Sequence, residues 1–374
     1  MEILHIYKDY HPVLGGIENH VKWLAEQQAS AGHTVTVLAC APGLRSQIGT
    51  LNGVRVVKAG RLATVASMPI SLSLPWILSR LTPDIAHVHS PFPLGETANY
   101  LLGRARATVI TYHSDIVRQR GWLRLYGPLL RRVLRAADCI IATSPRYLET
   151  SPWLKDARDR CVVIPLGVDV NRFAPSADPR GAHRPSELLF VGRLRYYKGL
   201  DVLLQAMTRL PEAHLTIVGD GPMRATWQAM ASSLGISSQI TWAGEVPDKA
   251  LPGYYARSDL FILPAIARAE AFGTVLLEAM ASGLPVISTE LGTGTSWVNQ
   301  HQVTGLVVPP GDPEALAAAI RELLDAPERR EAMGRAARAR VEADFSFTAM
   351  AQRIESAYQL ALERAATRPG LRPR

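Results

Sequence analysis

Short apolar runs alternate with stretches of helical periodicity along both halves of this chain, and that alternation constrains the fold more than any other feature. In the first half the runs fall at residues 3–7, 35–39, 85–89, 108–112, 139–143 and 162–164. In the second half they fall at 188–191, 215–218, 260–263, 286–288 and 306–308. Apolar strands separated by helix-length segments pair in parallel and are covered by helices on both faces. Two such sets predict an α/β chain of two Rossmann-like, doubly wound domains whose ligand sites lie at the carboxyl ends of the strands, facing a shared cleft. The length of 374 residues suits two domains of ordinary size. Between the halves, residues 165–185 hold Pro165, Pro175, Pro179, Pro185 and two glycines, the composition of a linker or hinge. The expected limits are a first domain at 1–168, a linker at 169–186 and a second domain at 187–346. A C-terminal helix at 347–364 and a basic, disordered tail at 365–374 follow, with a helical break near Phe345-Ser346.

Hydrophobic residues make up 47% of the chain, which marks a packed protein rather than a disordered one. No apolar stretch approaches the roughly 20 residues of a membrane span. The start, Met1-Glu2-Ile3-Leu4-His5, enters a strand directly and lacks the layout of a signal peptide. Cys40, Cys139 and Cys161 show neither paired nor metal-like spacing, so the reading is cytoplasmic. A formal charge of +8 suits phosphate-rich ligands or an anionic membrane surface. Nucleic acid is disfavoured, because no aromatic-and-basic recognition motif stands out.

The stretch Glu270-Ala-Phe-Gly-Thr-Val-Leu-Leu-Glu278 follows the apolar run 260–263. A helix beginning near Gly273 would aim free N–H groups and its positive dipole end at a ligand above the strand, an anion site suited to phosphate. A carboxylate on either side could grip hydroxyl groups, which suggests sugar, diphosphate and ribose. A hydrolase pair would stand about 5–10 Å apart. Eight helical residues rise roughly 12 Å, so two binding carboxylates fit better unless Glu270 lies on a folded-back loop. The plain alternative is a helix whose Glu278 faces solvent.

Other segments carry weaker signals. Gly15-Gly16 stand at a strand-to-helix turn, as a close-approaching ligand or an ordinary tight turn would require. His113 follows the run 108–112 and would stand at a strand's carboxyl end, as a site residue or a satisfied polar one. His87 and His89 share a strand face as two metal ligands could, but no third ligand is evident. Arg193 and Lys198, after the run 188–191, could clamp a diphosphate or simply be surface cations. Val218-Gly219-Asp220-Gly221-Pro222 begins like a dinucleotide fingerprint, but Arg224 occupies the third glycine position, which disfavours a dehydrogenase. Residues 118–135 contain six arginines, no acid and an apolar stripe with Trp122 and Tyr126, fit for a membrane surface or for core packing with a solvated basic face.

Together these segments closely resemble glycosyltransferase family 4, nucleotide-sugar enzymes of the glycosyltransferase-B fold. The likeness runs from Gly15-Gly16-Ile17-Glu18 to the helix after Phe347. Its most specific pieces are Glu270 with Glu278, Phe190-Val-Gly-Arg-Leu with Lys198-Gly199, and Gly305-Leu-Val-Val-Pro-Pro-Gly311. His87-Val-His-Ser-Pro-Phe-Pro-Leu, Thr111-Tyr-His-Ser-Asp115, Ala142-Thr-Ser-Pro and Leu291-Gly-Thr-Gly294 resemble a subgroup rich in bacterial surface-polysaccharide mannosyltransferases. Two departures stand beside the motifs: Ala265 where many relatives have Ser, and Gln302 where Gly is frequent.

The resemblance implies an acceptor-side first domain, a donor-binding second domain and a C-terminal helix that returns to the first. Gly15 and Gly16 would back the donor diphosphate, while Arg193 and Lys198 neutralise it. Glu270 would hold hydroxyls of the sugar, Phe272, Gly273 and Thr274 would present the helix start to the phosphates, and Glu278 would bind the ribose. His113 would sit beside the reacting carbon. The implied reaction is retaining, metal-free hexose transfer, with GDP-mannose as the favoured donor and a UDP-sugar as the alternative. The acceptor would be a polyprenyl-diphosphate-linked glycan, reached at the inner face of the membrane. A nucleotide-sugar epimerase, a soluble glucan synthase and a non-catalytic sugar-binding module are the competing classes.

Overall fold

The structure, a computed structural model, describes residues 1–13, 15–65, 68–116, 120–175 and 186–367. The chain divides into two compact units: Met1–Pro165 joined by the segment from Met350 onward, and Leu166–Ala349.

The first unit holds β1 (Glu2–Ile6), β2 (Thr34–Cys40), β3 (Gln47–Leu51), β4 (Val54–Ala59), β5 (Ala63–Val65), β6 (Met68–Ile70), β7 (Ile85–Ser90), β8 (Ala107–Tyr112), β9 (Cys139–Ala142) and β10 (Cys161–Val163). Eight of them form one sheet in the order β10-β9-β8-β7-β1-β2-β4-β3, and β5 and β6 form a separate hairpin. Every pairing in the large sheet is parallel except that of β3 with β4. β1 lies between β2 and β7, so the chain leaves it in two directions and the loops beyond its carboxyl end diverge. Alternation along β1 and β7 places His5, His87 and His89 on one face, with His5 opposite His87 in register. The helices Gly16–Ser30 and Phe347–Ala366 contribute Gln28 and Tyr358 to that face.

The second unit holds β11 (Ser186–Val191), β12 (Ala213–Val218), β13 (Ile240–Gly244), β14 (Leu260–Leu263), β15 (Val286–Thr289) and β16 (Gly305–Val308), all parallel, in the order β13-β12-β11-β14-β15-β16. Here β11 is the switch point, flanked by β12 and β14. Alternate residues of β11 feed two cores: Leu188 and Phe190 on one face, Leu189 and Val191 on the other.

Several expectations change. The span 169–186 is not a free linker along its described part, because Phe173 lies in the second unit's core and Arg338 donates to the Phe173 carbonyl at 2.7 Å. Its remainder, 176–185, lies outside the described residues, as do 117–119 of the basic stretch and the tail from 368. The helices Pro327–Asp344 and Phe347–Ala366 are separated where expected. Val168 pins the break by donating to the Phe345 carbonyl (2.9 Å) and accepting from Phe347 (3.1 Å). In the basic helix Arg120–Ala136, Leu130, Val133 and Leu134 pack into the core, while Arg131 and Arg135 face Asp156 at 3.7 and 3.4 Å. Leu125 of the same helix is 77% exposed. Among the described residues no helix is long and apolar enough to cross a membrane.

The fingerprint-like glycines have a packing role instead. A Cβ on Gly219 would lie 2.2 Å from the Gly192 carbonyl oxygen, and Arg224, at the missing glycine position, pairs with Asp220 at 2.7 Å. The departure at Gln302 is also explained, because its φ of 67° is left-handed and glycine would be strain-free there. Gln302→Gly should therefore be neutral or stabilising by about 1 kcal/mol, and Gln302→Val destabilising by about 1–2 kcal/mol. Urea unfolding checks this; a glycine variant weaker than the valine one would contradict it.

Candidate active site

At the carboxyl end of β11 the chain turns through Gly192 and Arg193, and the short helical turn Tyr196–Lys198 brings Lys198 back against Gly192. Lys198 is only 8% exposed, and its Nζ lies 2.6 Å from Oε2 of Glu270, which arrives from beyond β14. The contact is an ion pair rather than a well-aligned hydrogen bond, since Oε2 has no hydrogen-bond partner. Burial pulls the ammonium toward neutrality, but the charge of Glu270 outweighs it, and the lysine pKa rises above its ordinary range. Arg193 is exposed and has no ion pair among the described residues.

Glu270 is not on a helix. It sits on the loop between β14 and the helix Thr274–Ala281, so the helical-rise estimate of its distance from Glu278 does not apply. Their separate partners, Lys198 for one and Tyr255 for the other, argue instead for two distinct roles. The loop is buttressed by the Leu291-Gly-Thr-Gly294 segment. Thr293 Oγ1 donates to the Glu270 carbonyl at 2.9 Å, and the Gly294 N–H donates to the Ala271 carbonyl at 2.7 Å. A Cβ on Gly294 would stand 2.8 Å from Phe272 Cδ2 and 2.9 Å from the Ala271 oxygen, so only glycine permits the approach. Phe272 is buried in the core and edge-on to Phe345, which leaves its backbone rather than its ring for a ligand. Gly273, at φ 76°, caps the helix whose first residue is Thr274. The N–H groups of that first turn, a few residues from the Lys198–Glu270 pair, lack intrahelical acceptors and are free to meet an anion.

In the first unit, Gly15 is the N-cap of the helix Gly16–Ser30 and its carbonyl accepts from Asn19 at 2.9 Å. His113 follows β8, with its N–H on the Ser90 carbonyl at 2.9 Å. The third ligand that was not evident beside His87 and His89 is His5, and a second group brings His20 and His113 to His89. Both nitrogens of His89 are already engaged, however. Nε2 lies 3.0 Å from His5 and Nδ1 3.1 Å from His113, so a metal would have to displace a ring–ring hydrogen bond. Burial keeps the rings neutral: His5 is pulled down to about 4 and His20 to about 3, and His87, His89 and His113 fall well below the ordinary value. Sequence reasoning missed His5, His20, Gln28, Tyr358 and Tyr255. Only His5 left a local signal, its period-two alignment with β7.

Glu278 accepts from the buried Tyr255 hydroxyl at 2.7 Å. Burial pushes its carboxyl up from 4.5 to about 7, with Tyr255 and Arg172 opposing the rise. A carboxyl raised in the folded state contributes stability below its unfolded value and loses it as pH climbs through 7. Glu278→Gln cannot ionise and escapes that loss. Calorimetry should show the variant gaining on the wild type between about pH 5 and pH 8, by at most about 3 kcal/mol. Identical pH dependence would rule out a raised carboxyl.

Comparison with known proteins agrees with this geometry. Residues 176–340 match the model of glycosyl transferases group 1, and residues 14–172 match that of Glycosyltransferase Family 4. A D-rhamnosyltransferase of Pseudomonas aeruginosa is 39% identical over 91% of each chain. The O-antigen chain mannosyltransferase C of Escherichia coli is 36% identical over 97% of this chain and 99% of its own. Among solved structures, the sucrose-phosphate synthase of Thermosynechococcus elongatus superposes with a TM-score of 0.79 at 24% identity, covering 96% and 98% of the two chains. With the two parallel α/β units of the glycosyltransferase-B fold and these relatives, the chain belongs to the family 4 glycosyltransferases and is a glycosyltransferase.

Proposed function

We propose that this enzyme transfers mannose from GDP-mannose, with retention at the sugar carbon, onto a growing lipid-linked glycan of a surface polysaccharide. The observation that carries the site reading is the Lys198–Glu270 pair beside the capped start of the helix Thr274–Ala281. A buried ammonium held charged by a carboxylate is a diphosphate site prepared in advance, since the charge it must meet needs no further reorganisation. Lys198 and Arg193 neutralise the donor diphosphate, Arg193 in bidentate fashion. Glu270 holds hydroxyls of the transferred sugar, the backbone of Phe272, Gly273 and Thr274 meets the phosphates, and Glu278 binds the ribose. Gly15 and Gly16 back the diphosphate, and His113 stands beside the reacting carbon.

These groups supply the positive charge that a divalent ion gives other transferases, so the reaction runs without metal. Glu270 is committed to Lys198 rather than free as a covalent nucleophile, which favours a front-face displacement. The carbon–oxygen bond to the leaving phosphate breaks as the acceptor oxygen bonds on the same face, and the departing phosphate takes that oxygen's proton.

The mannose assignment is supported by the likeness to the O-antigen chain mannosyltransferase C, while the D-rhamnosyltransferase makes D-rhamnose the alternative sugar. The guanine base rests on the likeness to mannosyltransferases. The exposed arginines of the helix Arg120–Ala136, with Leu125 beside them, support an acceptor held at the anionic inner face of the membrane.

Lys198→Ala and Arg193→Ala should each lower turnover by about a hundredfold or more, and near-normal rates would sink the clamp. Activity should persist in EDTA; loss restored by Mg²⁺ or Mn²⁺ would contradict the metal-free scheme. In a thermal-shift series GDP should stabilise by about 2.7 kcal/mol at a hundred times its dissociation constant, with UDP and ADP doing less. Preferential stabilisation by UDP would overturn the donor assignment and keep the site.

A further inference from the structure

The first unit buries a continuous chain of ring–ring hydrogen bonds. Gln28 Oε1 lies 2.7 Å from His5 Nε2, His5 Nδ1 is 3.0 Å from His89 Nε2, and His89 Nδ1 is 3.1 Å from His113 Nε2. Beyond that the chain stops, for the buried Nδ1 of His113 has no hydrogen-bond partner. At its other end the Gln28 amide nitrogen donates to the Tyr358 hydroxyl at 3.0 Å, and that hydroxyl lies 2.7 Å from His87 Nδ1.

A neutral imidazole carries one proton on two nitrogens, so each ring must donate at one end and accept at the other. The line of three rings therefore has only two self-consistent proton arrangements, one the reverse of the other. The Gln28 carbonyl selects between them. As an acceptor it requires a proton on His5 Nε2, which leaves His5 Nδ1 to accept from His89 Nε2–H. His89 Nδ1 then accepts from His113 Nε2–H.

We infer that Gln28 is a positioning residue, acting through His5 and His89 to place the proton of His113 on Nε2 and present Nδ1 as a bare acceptor for a sugar hydroxyl. The inference rests on the proposed place of His113 beside the reacting carbon. A reversed line would offer a donor at the same point and repel the hydroxyl proton. The lone pair is dictated from Gln28 on the helix Gly16–Ser30, three hydrogen bonds away.

Two substitutions separate the alternatives. Gln28→Glu in its ionised form only accepts and keeps the polarity, whereas Gln28→Met fills similar space and releases it. Long-range ¹⁵N–¹H spectra of the imidazoles should show His113 protonated at Nε2 in the wild type and in Gln28→Glu, and mixed in Gln28→Met. Turnover of Gln28→Met should fall by about tenfold or more with the donor KM little changed, while Gln28→Glu stays within about threefold. A wild-type His113 protonated at Nδ1, or one whose proton is unmoved in Gln28→Met, overturns the inference. So does stoichiometric zinc in the purified enzyme, since a metal would take the lone pair. If His113→Ala works at the wild-type rate, the fault lies with the place given to His113. If His113→Ala is slow and Gln28→Met is not, the relay itself fails.

Discussion

Everything at the candidate site depends on one constraint of strand order, the pairing of β11 in parallel with β12 on one side and β14 on the other. Connections from neighbouring parallel strands run right-handed, so reversing the direction of winding at β11 forces the loops beyond it apart. Lys198 comes from the loop after β11 and Glu270 from the loop after β14, 72 positions later in the chain by their numbers. Their meeting at 2.6 Å is a product of topology before it is one of local sequence. In the first unit β1 occupies the corresponding place between β2 and β7, and His89 meets His113 at 3.1 Å just past the paired part of β1.

A buried ion pair is a poor way to stabilise a fold, because desolvating two charges costs about as much as their attraction returns. The same holds for five buried histidines kept neutral by their surroundings, where apolar residues would pack without needing partners. Such polar interiors persist beside cores of ordinary kind, as in the run of Leu188, Phe190, Leu203 and Ile217. The contrast separates the residues that hold the protein together from those proposed to carry its chemistry.

Much of this was legible beforehand. The strands of both sheet centres follow from uninterrupted apolar runs, and the Glu270–Glu278 segment announced a helix start beside two carboxylates. What escaped reading was of two kinds. β3 and β4 were missed although Asn52-Gly53, both at positive φ, is a strong hairpin signal; β3 is an exposed edge strand with little apolar content to mark it. Gln28 and Tyr358 were missed because their meaning lies in pairing across 330 positions, which no local pattern encodes. The basic stretch was half legible, since its apolar stripe is core and its arginines partly pair with Asp156, an acid outside the window that looked acid-free.

The return of the last helix to the first unit bears on how the protein is made. Leu166–Ala349 is a continuous stretch of chain. The first unit is completed only by the segment from Met350 onward, which brings Tyr358 to Gln28 and His87 and is synthesised after the second unit. At translation speeds of about 5–20 residues per second, its sheet waits roughly 10–40 seconds with a face of polar rings uncovered. A nascent chain in that interval presents buried-type histidines to solvent, and it is there that a chaperone or a stray transition-metal ion would find this protein most receptive.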